Sequence, residues 1–402
     1  MKKKDIKVVI SFRRIGPYHV ARISAAAALY PGLVALESTA TDSVYAWDTV
    51  EIGLPFKKHT IFRDKDSLLA TTKEVRTAVW SALDEIRPDI VFIHGWSEKA
   101  AFAQLEWCIK NRVPRVVMSE SQEIDASRNI VVETVKSAYV RSFNAALCGG
   151  ASHAQYLGKL GLPVDKVFSG YDVVDNDYYS AGATRALADE VKNRERLGLP
   201  EKYFLSSNRF TEKKNLFRLL EAYDTYRKKA GRDAWQLVLL GDGELKQQII
   251  ERVEQLGLRD HVLMPGFQQY DVLPAYYALA GAFVHASTTE QWGLVVNEAM
   301  ASGLPVLVSD RCGCAGELVD EGVNGYSFDP YNVAQIADQM SLVSSSLEHA
   351  SKLGENSKKI IVNWSTARFG QAVECAVSAA FETGNMDIGL LQKIAIKSMY
   401  LK

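Results

Sequence analysis

Short apolar runs rich in β-branched residues alternate along this chain with longer stretches whose apolar positions recur at helical spacing. In the first half the runs are 6–12, 33–36, 90–94, 115–118 and 145–148; in the second they are 203–206, 237–240, 261–264, 282–285 and 306–309. Continuous apolar strands joined by helix-length spacers predict parallel sheets covered on both faces. The fold class is therefore α/β. The rhythm breaks between Asp172 and Pro200, where the chain turns polar and carries Asp172, Asp175, Asn176 and Asp177 in close succession. It restarts at Tyr203. This divides the 402 residues into two doubly wound, Rossmann-like units, 1–177 and 178–381, and such units present the loops at their strand C-termini to a shared cleft. After residue 381, Leu390, Leu391, Ile394 and Ala395 are spaced for one helix face. A last helix over 382–402 that crosses back to complete the first unit is preferred to one lying on a membrane surface.

Composition narrows the function. A net charge of −1 with basic residues scattered along the chain argues against a nucleic-acid binder, which needs a basic face. Five scattered cysteines (Cys108, Cys148, Cys312, Cys314 and Cys375) suit a reducing compartment better than a disulfide framework. No apolar run reaches the roughly 18 residues of a membrane span, and Arg13 and Arg14 interrupt what would be a signal-peptide core. The expected location is cytoplasmic. Arg13, Arg14 and the last helix leave weak membrane-surface association open at the inner face of a membrane.

Several motifs fail. Gly241-Asp242-Gly243 follows a strand, but Lys246 stands where a dinucleotide fingerprint needs its third glycine. A phosphate loop of the GxxxxGK[ST] kind and a GxSxG nucleophile elbow are missing from the sequence. Cys312 and Cys314 lack a second ligand pair for zinc. Asp175-Asn176-Asp177 has the spacing of a metal-holding DxD, yet it sits in the polar break and reads as linker.

The informative stretch follows the run 282–285. Glu290 and Glu298 stand eight residues apart, roughly two helical turns, so Glu290 falls in the loop before a helix and Glu298 inside it on a similar side. Gly293 allows close backbone approach, and the amides that open the helix suit a phosphate. The segment EQWGLVVNEAMASGLPVLVSD (290–310), continued by LVDEGVNG (318–325) and Asp329-Pro330, resembles the E-x7-E signature of retaining glycosyltransferase family 4. SSNRFTEKKNL (206–216) is similar to that family's strand end with its Arg and Lys. The first half matches more loosely, through Gly16-Pro17-Tyr18-His19-Val20, His94-Gly95-Trp96 and LGKLGLP (157–163). Two places depart from the pattern: Gln291-Trp292-Gly293 where Gly-Phe-Gly is usual, and RCGCAGE (311–317), one residue longer than usual.

The resemblance implies a GT-B fold and transfer of a hexose-type sugar from a nucleoside-diphosphate sugar to a glycan or lipid-linked acceptor, as in polysaccharide or glycolipid biosynthesis. It implies that Glu290 holds donor hydroxyls and steadies charge at the anomeric carbon, and that Glu298 binds the ribose. Arg209 and Lys214 would clamp the diphosphate, helped by amides at Gly293 and Leu294 and near Gly16. Gly266 and Phe267 would line the base pocket, and His94 would lie near the reacting sugar. With cations neutralising the diphosphate, no metal and no cofactor is required. The competing readings are a GT-B epimerase, a phosphorylase, for which no pyridoxal lysine is marked, a catalytically silent sugar-nucleotide-binding subunit, and a dehydrogenase, disfavoured by the missing fingerprint.

Overall fold

The computed structural model describes residues 3–40 and 53–400, and its chain divides into two units: Met1–Val173 with Thr366–Lys402, and Val174–Ser365. In the first unit the described strands are β1 (Val8–Phe12), β2 (Val34–Thr39), β3 (Lys57–Phe62), β4 (Ile90–His94), β5 (Arg115–Ser119), β6 (Ala145–Cys148) and β7 (Val167–Ser169). They form one parallel sheet in the order β3-β2-β1-β4-β5-β6-β7. β1, β5 and β6 are buried along their whole length, as uninterrupted apolar runs require when helices cover both faces. Order reverses between β1 and β4, so their C-terminal ends flank the crevice where ligands of doubly wound sheets bind.

The second unit repeats the plan with β8 (Tyr203–Ser207), β9 (Gln236–Leu240), β10 (Val262–Gly266), β11 (Ala282–His285), β12 (Val306–Ser309) and β13 (Gly325–Phe328). Their order is β10-β9-β8-β11-β12-β13, again all parallel. Phe204 pairs with Ala282 and Leu205 with Phe283, which brings the ends of β8 and β11 side by side at the reversal point.

Four local readings change. The polar break is helical: Asn176–Ala188 and Glu190–Leu197 follow each other, and Asp175 caps the first by accepting from the Tyr178 amide at 3.0 Å. Asp175-Asn176-Asp177 is therefore a helix start, with Asn176 Nδ2 donating to the Ile361 carbonyl at 2.9 Å. The return to the first unit starts at Thr366 rather than at 382, because the helix Thr366–Thr383 packs along the helix Pro17–Leu29. The division between units falls at Val173 rather than after residue 177. In the last helix, Leu390–Met399, the packed residues are Ala395, Ile396 and Met399, set against the helix Ile130–Val140. Leu390, Leu391 and Ile394, expected on the buried face, are 73 %, 77 % and 54 % exposed. Among the described residues no helix is long and apolar enough to cross a membrane. All five cysteines are free thiols, and only Cys375 is exposed.

Candidate functional site

In the second unit the predicted residues gather at the C-terminal ends of β8 and β11. Glu290 lies five residues beyond the end of β11, in a loop tied down from two sides. The Thr288 amide donates to the Lys213 carbonyl at 2.8 Å, and the Gly313 amide donates to the Glu290 carbonyl at 3.0 Å. The second tie comes from the 311–317 segment. It also brings the Cys314 amide to the Trp292 carbonyl at 3.2 Å and Arg311 Nε to the Thr288 carbonyl at 2.9 Å. The 311–317 segment thus buttresses the glutamate loop. Cys312, buried behind it, has its thiol pushed up by burial and by the Glu290 charge.

The Glu290 carboxylate is the centre of a polar cluster. Its Oε2 is ion-paired with Lys214 Nζ, lies 3.2 Å from His285 Nε2, and accepts from Ser287 Oγ at 3.3 Å. Ser287 Oγ also lies 3.2 Å from the same imidazole nitrogen. Burial would raise this carboxyl, but Lys214 and then His285 more than offset it, so it is held well below the usual carboxylate range. His285 is fully buried and pulled below its ordinary value, chiefly by desolvation, with the Glu290 hydrogen bond acting the other way. The result is an ionised carboxylate beside a neutral imidazole.

Lys214 ends a short 3-10 turn after β8, and the next residue, Asn215, adopts a left-handed conformation with φ 59°. That strain is held by two bonds from Asn215 Nδ2, to the Ala286 carbonyl at 3.0 Å and the Pro330 carbonyl at 2.8 Å. Arg209 is exposed in the loop before this turn. Its loop is fixed by β9's end: the Phe210 amide donates to the Asp242 carbonyl at 2.9 Å, and Gly241 has φ 127°. A Cβ on Gly241 would stand 1.7 Å from the Asn208 carbonyl oxygen, so the two loops can meet only at a glycine. The glycine pair that fails as a dinucleotide fingerprint therefore positions the loop carrying Arg209.

Gly293, at φ 107°, is the N-cap of the helix Leu294–Ala301, whose first amides open beside Glu290. Trp292 Nε1 donates to Asn297 Oδ1 at 2.9 Å, and its ring lies 4.9 Å from that of Trp364. Glu298, on the same helix, is 1 % exposed and accepts from the Tyr277 hydroxyl at 2.7 Å. Gly266 ends β10 at φ 82°, with its carbonyl taking the Gly241 amide at 3.0 Å, and Phe267 beside it is exposed.

The first unit carries the other two predicted residues at the ends of β1 and β4. His94 Nδ1 lies 3.0 Å from Ser11 Oγ, and its Nε2 lies 3.4 Å from Glu98 Oε2. Glu98 in turn lies 3.8 Å from Arg13 Nε, and Arg13 reaches Asp66 at 3.1 Å. The Gly16 amide donates to His19 Nδ1 at 3.1 Å. The loop from Arg13 to Gly16 is anchored by the buried Glu37, which accepts from the Ile15 amide at 2.8 Å and from Thr60 Oγ1 at 2.7 Å. Asp172, taken above as part of a linker, is buried inside this unit 3.7 Å from Arg22. Burial, and next Glu120, push its carboxyl well above the usual range against the pull of Arg22.

Sequence reasoning missed His285, Ser287 and Tyr277. His285 and Ser287 stand five and three residues before Glu290, a local signal that can be read once the strand's end is known. Tyr277 is 21 residues from Glu298, and only the sheet brings them together.

Residues 188–360, the greater part of the second unit and the segment that holds both glutamates, match the family model described as glycosyl transferases group 1. The fold of two parallel α/β units is the GT-B type. Among solved structures, Anabaena HepE in complex with UDP shares it at TM-score 0.71 and 18% identity, over 93% of this chain and 99% of that one. Sucrose-phosphate synthase from Thermosynechococcus elongatus does so at TM-score 0.73 and 17% identity, over 94% and 99%. In sequence, the alpha-D-kanosaminyltransferase of Streptomyces kanamyceticus is 27% identical over 199 residues, 49% of this chain and 50% of the relative. The alpha-monoglucosyldiacylglycerol synthase of Streptococcus pneumoniae is 34% identical over 116 residues, 28% of this chain and 26% of the relative. The alignments thus span half or less of these two relatives.

Proposed function

We propose that this protein is a retaining glycosyltransferase that moves a hexose from a nucleoside-diphosphate sugar to a glycan or lipid-linked acceptor. The observation that carries the reading is the largely buried, ionised Glu290 held by Lys214, His285 and Ser287 beside the opening of a helix. A fixed carboxylate next to a fixed cation matches a reaction in which positive charge grows at the anomeric carbon while the departing diphosphate gains negative charge. In this reading Glu290 takes donor hydroxyls and steadies the anomeric centre. Lys214 and Arg209 receive the diphosphate with the amides of Gly293 and Leu294, and Glu298 accepts from the ribose. The bond from the anomeric carbon to the diphosphate oxygen breaks, the acceptor oxygen bonds to the same face, and the acceptor proton passes to the departing phosphate. No protein nucleophile, metal or cofactor takes part.

Relatives support the substrate classes. HepE has been crystallised with UDP and glucose, and the pneumococcal relative is a glycolipid synthase by name. The test is thermal stability against UDP, GDP, ADP and NAD for wild type and Arg209→Ala. A ligand at about 100 times its dissociation constant adds about 2.7 kcal/mol, roughly 5–10 °C for a unit of this size. One nucleoside diphosphate should stabilise wild type and the variant much less. A response to NAD alone, or an equal response in the variant, would sink the assignment. Retention is read from the anomeric proton coupling of the first-formed product.

A further inference from the structure

Tyr277 is fully buried on the helix Leu273–Ala278, ahead of β11, and its hydroxyl donates to Glu298 Oε2 at 2.7 Å. Its ring lies 5.7 Å from Phe283 and meets Tyr179 edge-on at 5.9 Å. Tyr179 in turn meets Tyr270 edge-on at 5.7 Å, and Tyr270 stacks on Tyr178 at 4.5 Å. Tyr178 closes the chain by donating to the Tyr270 carbonyl at 3.0 Å. Tyr270 sits in the loop that leaves β10 after Phe267. Its phenol is pushed up by burial and next by the Glu298 charge. One aromatic network therefore joins the loop after β10 to the glutamate on the helix Leu294–Ala301.

A glutamate side chain has three rotatable bonds, and the last of them sets the plane in which its oxygens accept hydrogen bonds. Fixing one oxygen by a buried phenol fixes that plane. We infer that Tyr277 is a positioning residue that orients the Glu298 carboxylate for the ribose hydroxyls of the donor nucleotide. This rests on the ribose role of Glu298 proposed above. A site built to hydrogen-bond a hydroxyl discriminates strongly against the analogue lacking it, because its own polar group is then left unpaired. An unfixed carboxylate can turn away, so the discrimination falls.

The experiment measures dissociation constants by calorimetry for UDP, 2′-deoxy-UDP and 3′-deoxy-UDP, with the GDP series in parallel, on wild type, Y277F, E298D and E298Q. Wild type should prefer the ribonucleotide over at least one deoxy analogue by about tenfold, about 1.4 kcal/mol. Y277F, which keeps the ring and removes only the hydroxyl, should lose most of that ratio. A merely structural Tyr277 would weaken all three nucleotides by one common factor, and that result overturns the inference. E298D keeps the charge but draws it away from the phenol, so it supplies the same test should Y277F fold poorly; an unchanged ratio in it is equally fatal. If E298Q abolishes the ratio while Y277F preserves it, the inference fails and the ribose reading stands. If E298Q preserves the ratio, the ribose reading itself fails.

Discussion

Removing the Lys214 charge tests how the Glu290 cluster is held together. Lys214→Met keeps much of the stem and deletes the ammonium that offsets burial of the carboxylate. Losing one partner of a buried pair costs about 3–5 kcal/mol when the other charge is left uncompensated. His285 and Ser287 still contact Oε2, so the lower end of that range, about 3 kcal/mol, is expected. For a unit of this size about 3 kcal/mol lowers the melting midpoint by roughly 6–12 °C. The pH dependence changes sign as well. In wild type the Glu290 pKa is depressed, so its contribution is present above the unfolded value, about 4.5, and is lost as pH falls toward the folded value. Without Lys214, burial, already the largest influence, is opposed chiefly by His285 and the pKa rises. Stability is then full below about 4.5 and is lost as pH climbs through the raised folded value. The variant should therefore be damaged more at pH 8 than at pH 5, and adding Glu290→Gln should recover much of the loss. The assay is thermal and urea unfolding of the four proteins of the cycle at both pH values, without nucleotide. A Lys214→Met midpoint within about 2 °C of wild type at pH 8, or a double variant no better than the single, would refute the reasoning.

Two further outcomes are expected. Gly241→Ala would set a Cβ 1.7 Å from the Asn208 carbonyl at φ 127°, so calorimetric unfolding should show a loss of more than about 2 kcal/mol, with nucleotide affinity falling because the Arg209 loop is displaced; a near-neutral substitution would contradict the loop contact. Because the His285 pKa is lowered, the unfolded chain binds the proton first as pH drops below about 6.5. Stability should then fall by up to about 1.4 kcal/mol per pH unit in that window, and His285→Asn should flatten the slope.

The sequence made the buried interior strands legible because they are uninterrupted apolar runs: 90–94, 145–148, 282–285 and 306–309 coincide with β4, β6, β11 and β12. β3 escaped because its run, Lys57–Phe62, begins with two lysines and is only partly buried, as befits the edge of a sheet. β7 and β13, three and four residues long, close the opposite edges and are too short to show a period. The helix Asn176–Ala188 was hidden because its Asp-Asn-Asp start looks like loop, although Asp175 is a helix cap by chemistry. At the site, the spacing of Glu290 and Glu298 correctly placed one in a loop and one inside a helix. What spacing cannot convey is partnership across the sheet. That Lys214 pairs with Glu290, and that Tyr277 reaches Glu298, follow from β8, β10 and β11 lying in one parallel order.

The first unit is discontinuous, and that has a bearing on synthesis. Chains emerge from the ribosome N-terminus first, at about 5–20 residues per second, and domains fold as units. Val174–Ser365 is an unbroken segment, so every part of its sheet is available before Thr366 is added. The first unit, begun earlier, still lacks the helix that covers Pro17–Leu29 and the one that covers Ile130–Val140. Its apolar helix faces stay uncovered for the roughly ten to forty seconds needed to make the second unit. The half that is translated first is thus the half completed last, and it is the one for which nascent-chain protection matters.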